Sequence, residues 1–141
     1  MGMYTELNLG VEIANNLNII HDLKIMLGEI DGDIVSNHDL FKTRRWDYML
    51  LSDSYYFDGQ TDSKLFRDDL DSNDPMYYLN VRCNLKNYDN EIKLFLDWLC
   101  PYILTEGFLG YMRYEESYAP TLIYKKDNEI IYNEVIFNDM G

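Results

Sequence analysis

Asp69, Asp71 and Asn73 repeat the D-x-D-x-N spacing with which a calcium loop presents its first three oxygen ligands. The pattern stops there: Asp74 stands where the sharp turn needs glycine, Pro75 follows, and Asn80 holds the place of the closing bidentate glutamate. The segment therefore reads as acidic surface and not as a cation sensor. Its charge is dense, because from Asp47 to Asp74 the chain has eight aspartates against Lys64 and Arg67 alone. Alternate residues of a strand lie about 6.6 Å apart, so carboxylates on one strand face approximate the spacing of backbone phosphates.

The one basic cluster is Lys42, Arg44 and Arg45, flanked by Phe41 and Trp46. Guanidinium forks suit carboxylate or phosphate, and aromatic rings suit a base, so this cluster is the candidate anion or nucleotide site. The competing reading is ion pairing within a very acidic chain. His21-Asp22 and His38-Asp39 place a histidine beside a carboxylate, but neighbours in a helix do not face each other, and neither pair has a second His or Cys at ligand spacing. Glu115 and Glu116, between Tyr114 and Tyr118, read as a charged turn or the rim of a protein contact. The phosphate-binding loop, dinucleotide, zinc-protease and nucleophile-elbow signatures are all missing, so no cofactor, metal or catalytic residue is assigned.

What must position these residues is legible mainly in the second half. Ile92, Phe95, Leu96 and Leu99 form an apolar stripe at helical spacing, with Asn87 or Asp89 to cap its start and Pro101 to end it. Phe108–Tyr114, Thr121–Lys125 and Ile130–Phe137 follow as strands, the last two joined by a tight turn at Asp127-Asn128. Connections this short exclude parallel pairing. Upstream, Leu7, Leu9, Val11 and Ile13 alternate with Glu6, Asn8 and Glu12 as a half-buried strand. Asn15 or Asn16 then caps a helix that Gly28 ends. Residues 29–45 read as a long loop, 46–57 as strand-like aromatics and 58–75 as a second long connection. Tyr77, Leu79, Val81, Cys83 and Leu85 form the clearest strand.

The expectation is one α+β domain over residues 1–141, in the order βαββαβββ. Its sheet is largely antiparallel, with a C-terminal three-strand meander and two helices packed on one face. Strand order and oligomeric state are left open. At 141 residues with 47% apolar content, the chain is long enough for one substantial core. Cys83 and Cys100 read as buried free thiols. The start of the chain lacks a signal-peptide pattern, so a cytoplasmic location is expected, in a bacterial host cell if the gene is phage-borne.

The net charge of −13 opposes direct binding to nucleic acid or an anionic membrane and favours a basic partner. The functional expectation is a small acidic inhibitor that occludes a basic nuclease or nucleic-acid-binding complex. A phage or mobile-element anti-defence protein and a toxin immunity protein fit equally. Asp62, Asp68, Asp69, Asp71 and Asp74 would supply the charge, and Tyr55, Tyr56, Tyr77, Tyr78 and Tyr118 the anchoring area. The alternative is a nucleotide- or small-anion-binding protein built on Phe41, Lys42, Arg44, Arg45 and Trp46.

Overall fold

A computed structural model describes residues 3–54, 61–69 and 73–135. The strands are β1 (Thr5–Ile13), β2 (Lys64–Asp68), β3 (Met76–Leu85), β4 (Gly107–Tyr114), β5 (Thr121–Lys126) and β6 (Glu129–Glu134). The helices are α1 (Leu17–Met26) and α2 (Glu91–Leu99), and three short 3₁₀ turns occupy Asp39–Lys42, Met49–Leu51 and Cys100–Tyr102. The strands make one sheet in the order β2-β3-β1-β4-β5-β6, every neighbouring pair antiparallel. Because β3 and β4 both run antiparallel to β1, they are parallel to each other, and α2 is the crossover joining them past β1. The element order βαββαβββ and the meander are as the sequence pattern indicates.

Period-two alternation explains the layers. Leu7, Leu9, Val11 and Ile13 of β1 and Tyr77, Leu79, Val81, Cys83 and Leu85 of β3 all point into one core. Ile19, Ile20, Leu23 and Met26 of α1, and Ile92, Phe95, Leu96 and Leu99 of α2, close that core from one side. The opposite face of the sheet carries Glu6, Asn8, Gly10 and Glu12 of β1, none of them buried.

Local chemistry sets the ends. The Asn16 Oδ1 accepts from the amides of Asn18 and Ile19, a cap that contributes about 1 kcal/mol. Gly28 leaves α1 at φ +73°, a left-handed conformation in which it is the natural residue. At α2 the cap position belongs to Asn90, while the Asn87 side chain accepts from the Ile92 amide at 2.9 Å. Asp127 (φ 52°) and Asn128 (φ 65°) form the two-residue hairpin turn between β5 and β6.

Two expectations are corrected. Residues 46–54 form no strand. Met49 and Leu50 are both fully buried in a 3₁₀ turn, which adjacent residues of a half-exposed strand could not be. The second strand lies instead at Lys64–Asp68, inside the stretch read as a connection. As the edge strand of the sheet it turns only Leu65 and Arg67 toward the helices, so its apolar signal is weak. Residues 55–57 and 136–137 lie outside the described residues.

Three buried charges were not foreseen. Asp22 accepts from the amides of Val35 (3.0 Å) and Ser36 (2.9 Å) and from the Ser36 hydroxyl, pinning the loop after α1. Burial would raise its carboxyl pKa, but these bonds and the contact with His21 outweigh it, so the pKa is lowered. Lys125 donates to the Ile103 carbonyl, and Glu91 accepts from the Asp89 amide at 2.7 Å. Both cysteines are free and buried, and burial pushes both thiols up. Among the described residues no helix is long and apolar enough to cross a membrane.

Candidate functional site

Four of the acidic residues singled out by composition, Asp62, Asp68, Asp69 and Asp74, and one tyrosine lie along the β2 edge of the sheet. Pro75 is buried just before β3 and holds the chain extended there. The antiparallel register then sets Phe66 opposite Tyr78 and Asp68 opposite Met76. All four belong to the sheet face away from the helices. Phe66 is 51% exposed, Tyr78 40% and Met76 39%, so a continuous apolar strip lies open on β2 and β3. Asp62 and Asp74 are exposed beside it, Asp68 is half-buried at its end, and Asp69 is exposed on the Arg67 side of the same edge. Lys64 pairs with Asp62 at 3.6 Å and Arg67 with Asp69 at 2.5 Å, leaving the strip with more carboxylates than cations. Phe66 and Met76 were not anticipated. The alternation of Lys64, Phe66 and Asp68 against Leu65 and Arg67 was the available signal.

The other anchors fall elsewhere. Tyr77 is only 7% exposed and packs in the core, which removes it from the set of surface anchors. Its place in the same alternation as Leu79 and Val81 is the reason. Tyr118 is 98% exposed, but it lies in the β4–β5 connection, where with Glu116 and Glu134 it lines a cleft of about 910 Å³. Tyr55, Tyr56 and Asp71 lie outside the described residues, and with Asp71 the middle of the calcium-like spacing.

The basic cluster is engaged within the chain. Phe41 meets Trp46 and Trp98 edge-to-face, each at 5.2 Å, and both Phe41 and Trp46 pack against the core. Neither ring is a free stacking surface. Lys42 pairs with Asp39 at 3.3 Å; Arg45 lies 3.9 Å from Asp89 and over the Tyr88 ring. Arg44 is exposed, its amide donating to Asp89.

The histidines act as ties. His38 Nδ1 accepts from the Leu40 amide at 3.0 Å, which leaves Nε2 as the protonated nitrogen donating to Asp97 at 2.8 Å. His21 contacts Asp22 at 2.9 Å, so these helix neighbours do meet, against the expectation from spacing. Glu115 accepts from the Tyr4 amide at 2.8 Å and fastens the β4–β5 connection to the start of β1. Among the described residues no three His, Cys, Asp or Glu side chains gather as a metal site.

Across the middle of the open face runs a row of polar contacts. Arg82 Nε donates to Asn8 Oδ1 (3.4 Å), Asn8 Nδ2 to the Tyr111 hydroxyl (3.2 Å), and Arg113 lies 3.8 Å from Glu6. Burial, then the nearby Glu6, raises the Tyr111 hydroxyl pKa and keeps it protonated. Beyond this row Phe108 and Tyr124 pack edge-to-face at 5.5 Å. Compared with protein-family models, with curated proteins and with solved structures, the chain matches none of them.

Proposed function

We propose that the chain is an acidic binding protein that occludes the nucleic-acid groove of a basic enzyme. The observation that carries this reading is the β2–β3 strip: Phe66, Met76 and Tyr78 exposed side by side, bordered by Asp62, Asp68, Asp69 and Asp74. Aromatic and methionine anchors within a polar rim are the usual anatomy of a protein contact. A rim in which carboxylates outnumber cations steers a basic partner and selects against nucleic acid itself. Occlusion needs no chemistry from this chain. It requires carboxylates held where a substrate's phosphates would lie and rings that fill the adjoining surface. A phage or mobile-element anti-defence protein and a toxin immunity protein both fit this description.

The anion-site alternative draws no such support, because Phe41 and Trp46 are committed to the core and Lys42 and Arg45 to carboxylates. The test is capture of partners with the wild type and with Asp68→Asn/Asp69→Asn/Asp74→Asn, at low and raised salt. A nuclease assay on what is retained completes it. A basic nucleic-acid enzyme held by the wild type, inhibited by it, and released by salt or by the triple substitution is expected. Retention of no basic protein, or inhibition untouched by the substitutions, would overturn the reading.

A further inference from the structure

Gly10 of β1 and Gly110 of β4 lie on neighbouring strands of the sheet, and only one of them is explained by the fold. A Cβ on Gly110 would fall 1.9 Å from the Asn8 carbonyl oxygen, and its φ is +154°, so β4 approaches β1 closely only because this residue is glycine. A Cβ on Gly10 would meet nothing within 4 Å, and its φ lies outside the positive range that favours glycine. Glycine within a strand weakens it unless another backbone must come close. Gly10 is exposed at the centre of the open face. Nothing in the described part of its own chain approaches it.

On the side of Gly10 away from β2 the face is apolar. Phe108 is 54% exposed, and Tyr111, Leu122, Tyr124 and Ile131 are half-buried beside it. Over the face as a whole, β2 apart, the charges cancel. In the paired strands from β3 to β6, the outward-facing ionised side chains are Arg82, Arg113 and Lys126 against Glu6, Glu12 and Glu129. A chain of net charge −13 repels its own copy over most of its surface, but not through a face whose charges sum to zero.

We infer that this face, centred on Gly10, is a self-association surface whose occupant is a second copy of the chain, packed face to face about a two-fold axis. Glu12 lies two residues along β1 from Gly10. Arg82 lies two residues along β3 from Asn80, the partner of Gly10, in the opposite direction. A two-fold axis lying between the two faces above Gly10 and running across the strands brings Arg82 of each copy toward Glu12 of the other, as an isologous contact requires. Arg82 has no carboxylate within salt-bridge distance among the described residues, so this pairing completes it. Five strands at about 4.8 Å spacing and about 20 Å length give about 500 Å² per copy, or about 1,000 Å² in all, the lower bound of a specific interface. The dimer is thus a weak one, and β2 with Phe66 and its flanking aspartates stays outside it.

Sedimentation velocity over a concentration series tests this with four proteins: the wild type, Gly10→Arg, Arg82→Glu, and Arg82→Glu/Glu12→Arg. The space above Gly10 is open and Arg82 is exposed, so thermal melts should stay close to that of the wild type. The wild type is expected to dimerise with rising concentration. Either single variant should weaken dimerisation at least about tenfold, and the charge-swapped double should regain it. A wild type that stays monomeric throughout overturns the inference. So does dimerisation unaffected by Gly10→Arg and Arg82→Glu, or a double variant that recovers nothing.

Discussion

The two ends of the open sheet face are built on the same backbone, but one is acidic and the other close to neutral. At the β2 edge, Phe66, Met76 and Tyr78 sit among Asp62, Asp68, Asp69 and Asp74, with Lys64 and Arg67 already spent on two of those carboxylates. Toward β6, Phe108, Tyr124 and Ile131 lie on a face whose outward ionised side chains, from β3 to β6, are three basic and three acidic. Comparable exposed aromatic area at both ends means that apolar surface does not distinguish them. Charge does: one end is suited to a basic partner, the other to a surface like itself.

The strongest challenge to this picture concerns the glycines that separate the two ends. Gly110→Ala forces a Cβ into the Asn8 carbonyl, and it should cost about 3 kcal/mol or more, read as a fall in denaturation midpoint. Gly10→Ala should be neutral or stabilise by about 0.5–1 kcal/mol, because the new methyl meets nothing and the unfolded chain loses freedom. Equal losses at both positions would remove the argument that Gly10 is kept for an incoming surface.

Asp22→Asn serves as a control away from both ends. It removes the charge from a carboxyl that accepts from the Val35 and Ser36 amides and should cost about 1–3 kcal/mol at neutral pH. The folded pKa is lowered, so the ionised group contributes in full above the ordinary carboxylate value. That contribution fades as pH falls through the folded value. The gap between wild type and variant should therefore narrow in acid, as equilibrium unfolding at several pH values would show. Affinity at either end of the face should not change.

The legible part of the fold was the part with strong periodicity. β1 and β3 alternate along their length, α2 carries an unbroken apolar stripe, and Asp127-Asn128 accepts the left-handed turn its hairpin needs. Edge strand β2 was hidden because an edge needs few inward apolar residues, and Lys64–Asp68 supplies little more than Leu65. The Met49–Leu51 turn was mistaken for strand because a run of apolar residues has no period of its own. The site was half legible. Composition located the aspartates, but pairing in the sheet was needed to bring them to Phe66, Met76 and Tyr78 and to send Tyr77 inward. Gly10 is a single residue whose meaning depends on what surrounds it in space, which no spacing rule reveals.

Smaller effects sharpen the comparison. Phe66→Ala and Phe108→Ala remove half-exposed rings, so each should lower stability by less than about 1.5 kcal/mol. Their binding effects should separate: Phe66→Ala weakens partner binding and spares self-association, while Phe108→Ala does the reverse. Loss of both activities in either variant, measured by titration and sedimentation, would merge the two ends into one surface. The smallest change in stability belongs to Asp68→Asn/Asp69→Asn/Asp74→Asn, within about 1 kcal/mol, since Asp69 and Asp74 are exposed and Asp68 is only half-buried.

The most direct test of the acidic end is the association rate of the retained partner with wild type and with that triple variant, followed over a range of salt. The wild-type rate should fall steeply with salt, and the variant should start about tenfold slower and vary little. Equal rates and equal salt slopes for the two proteins would contradict the assignment of the β2–β3 strip as the surface that meets a basic partner.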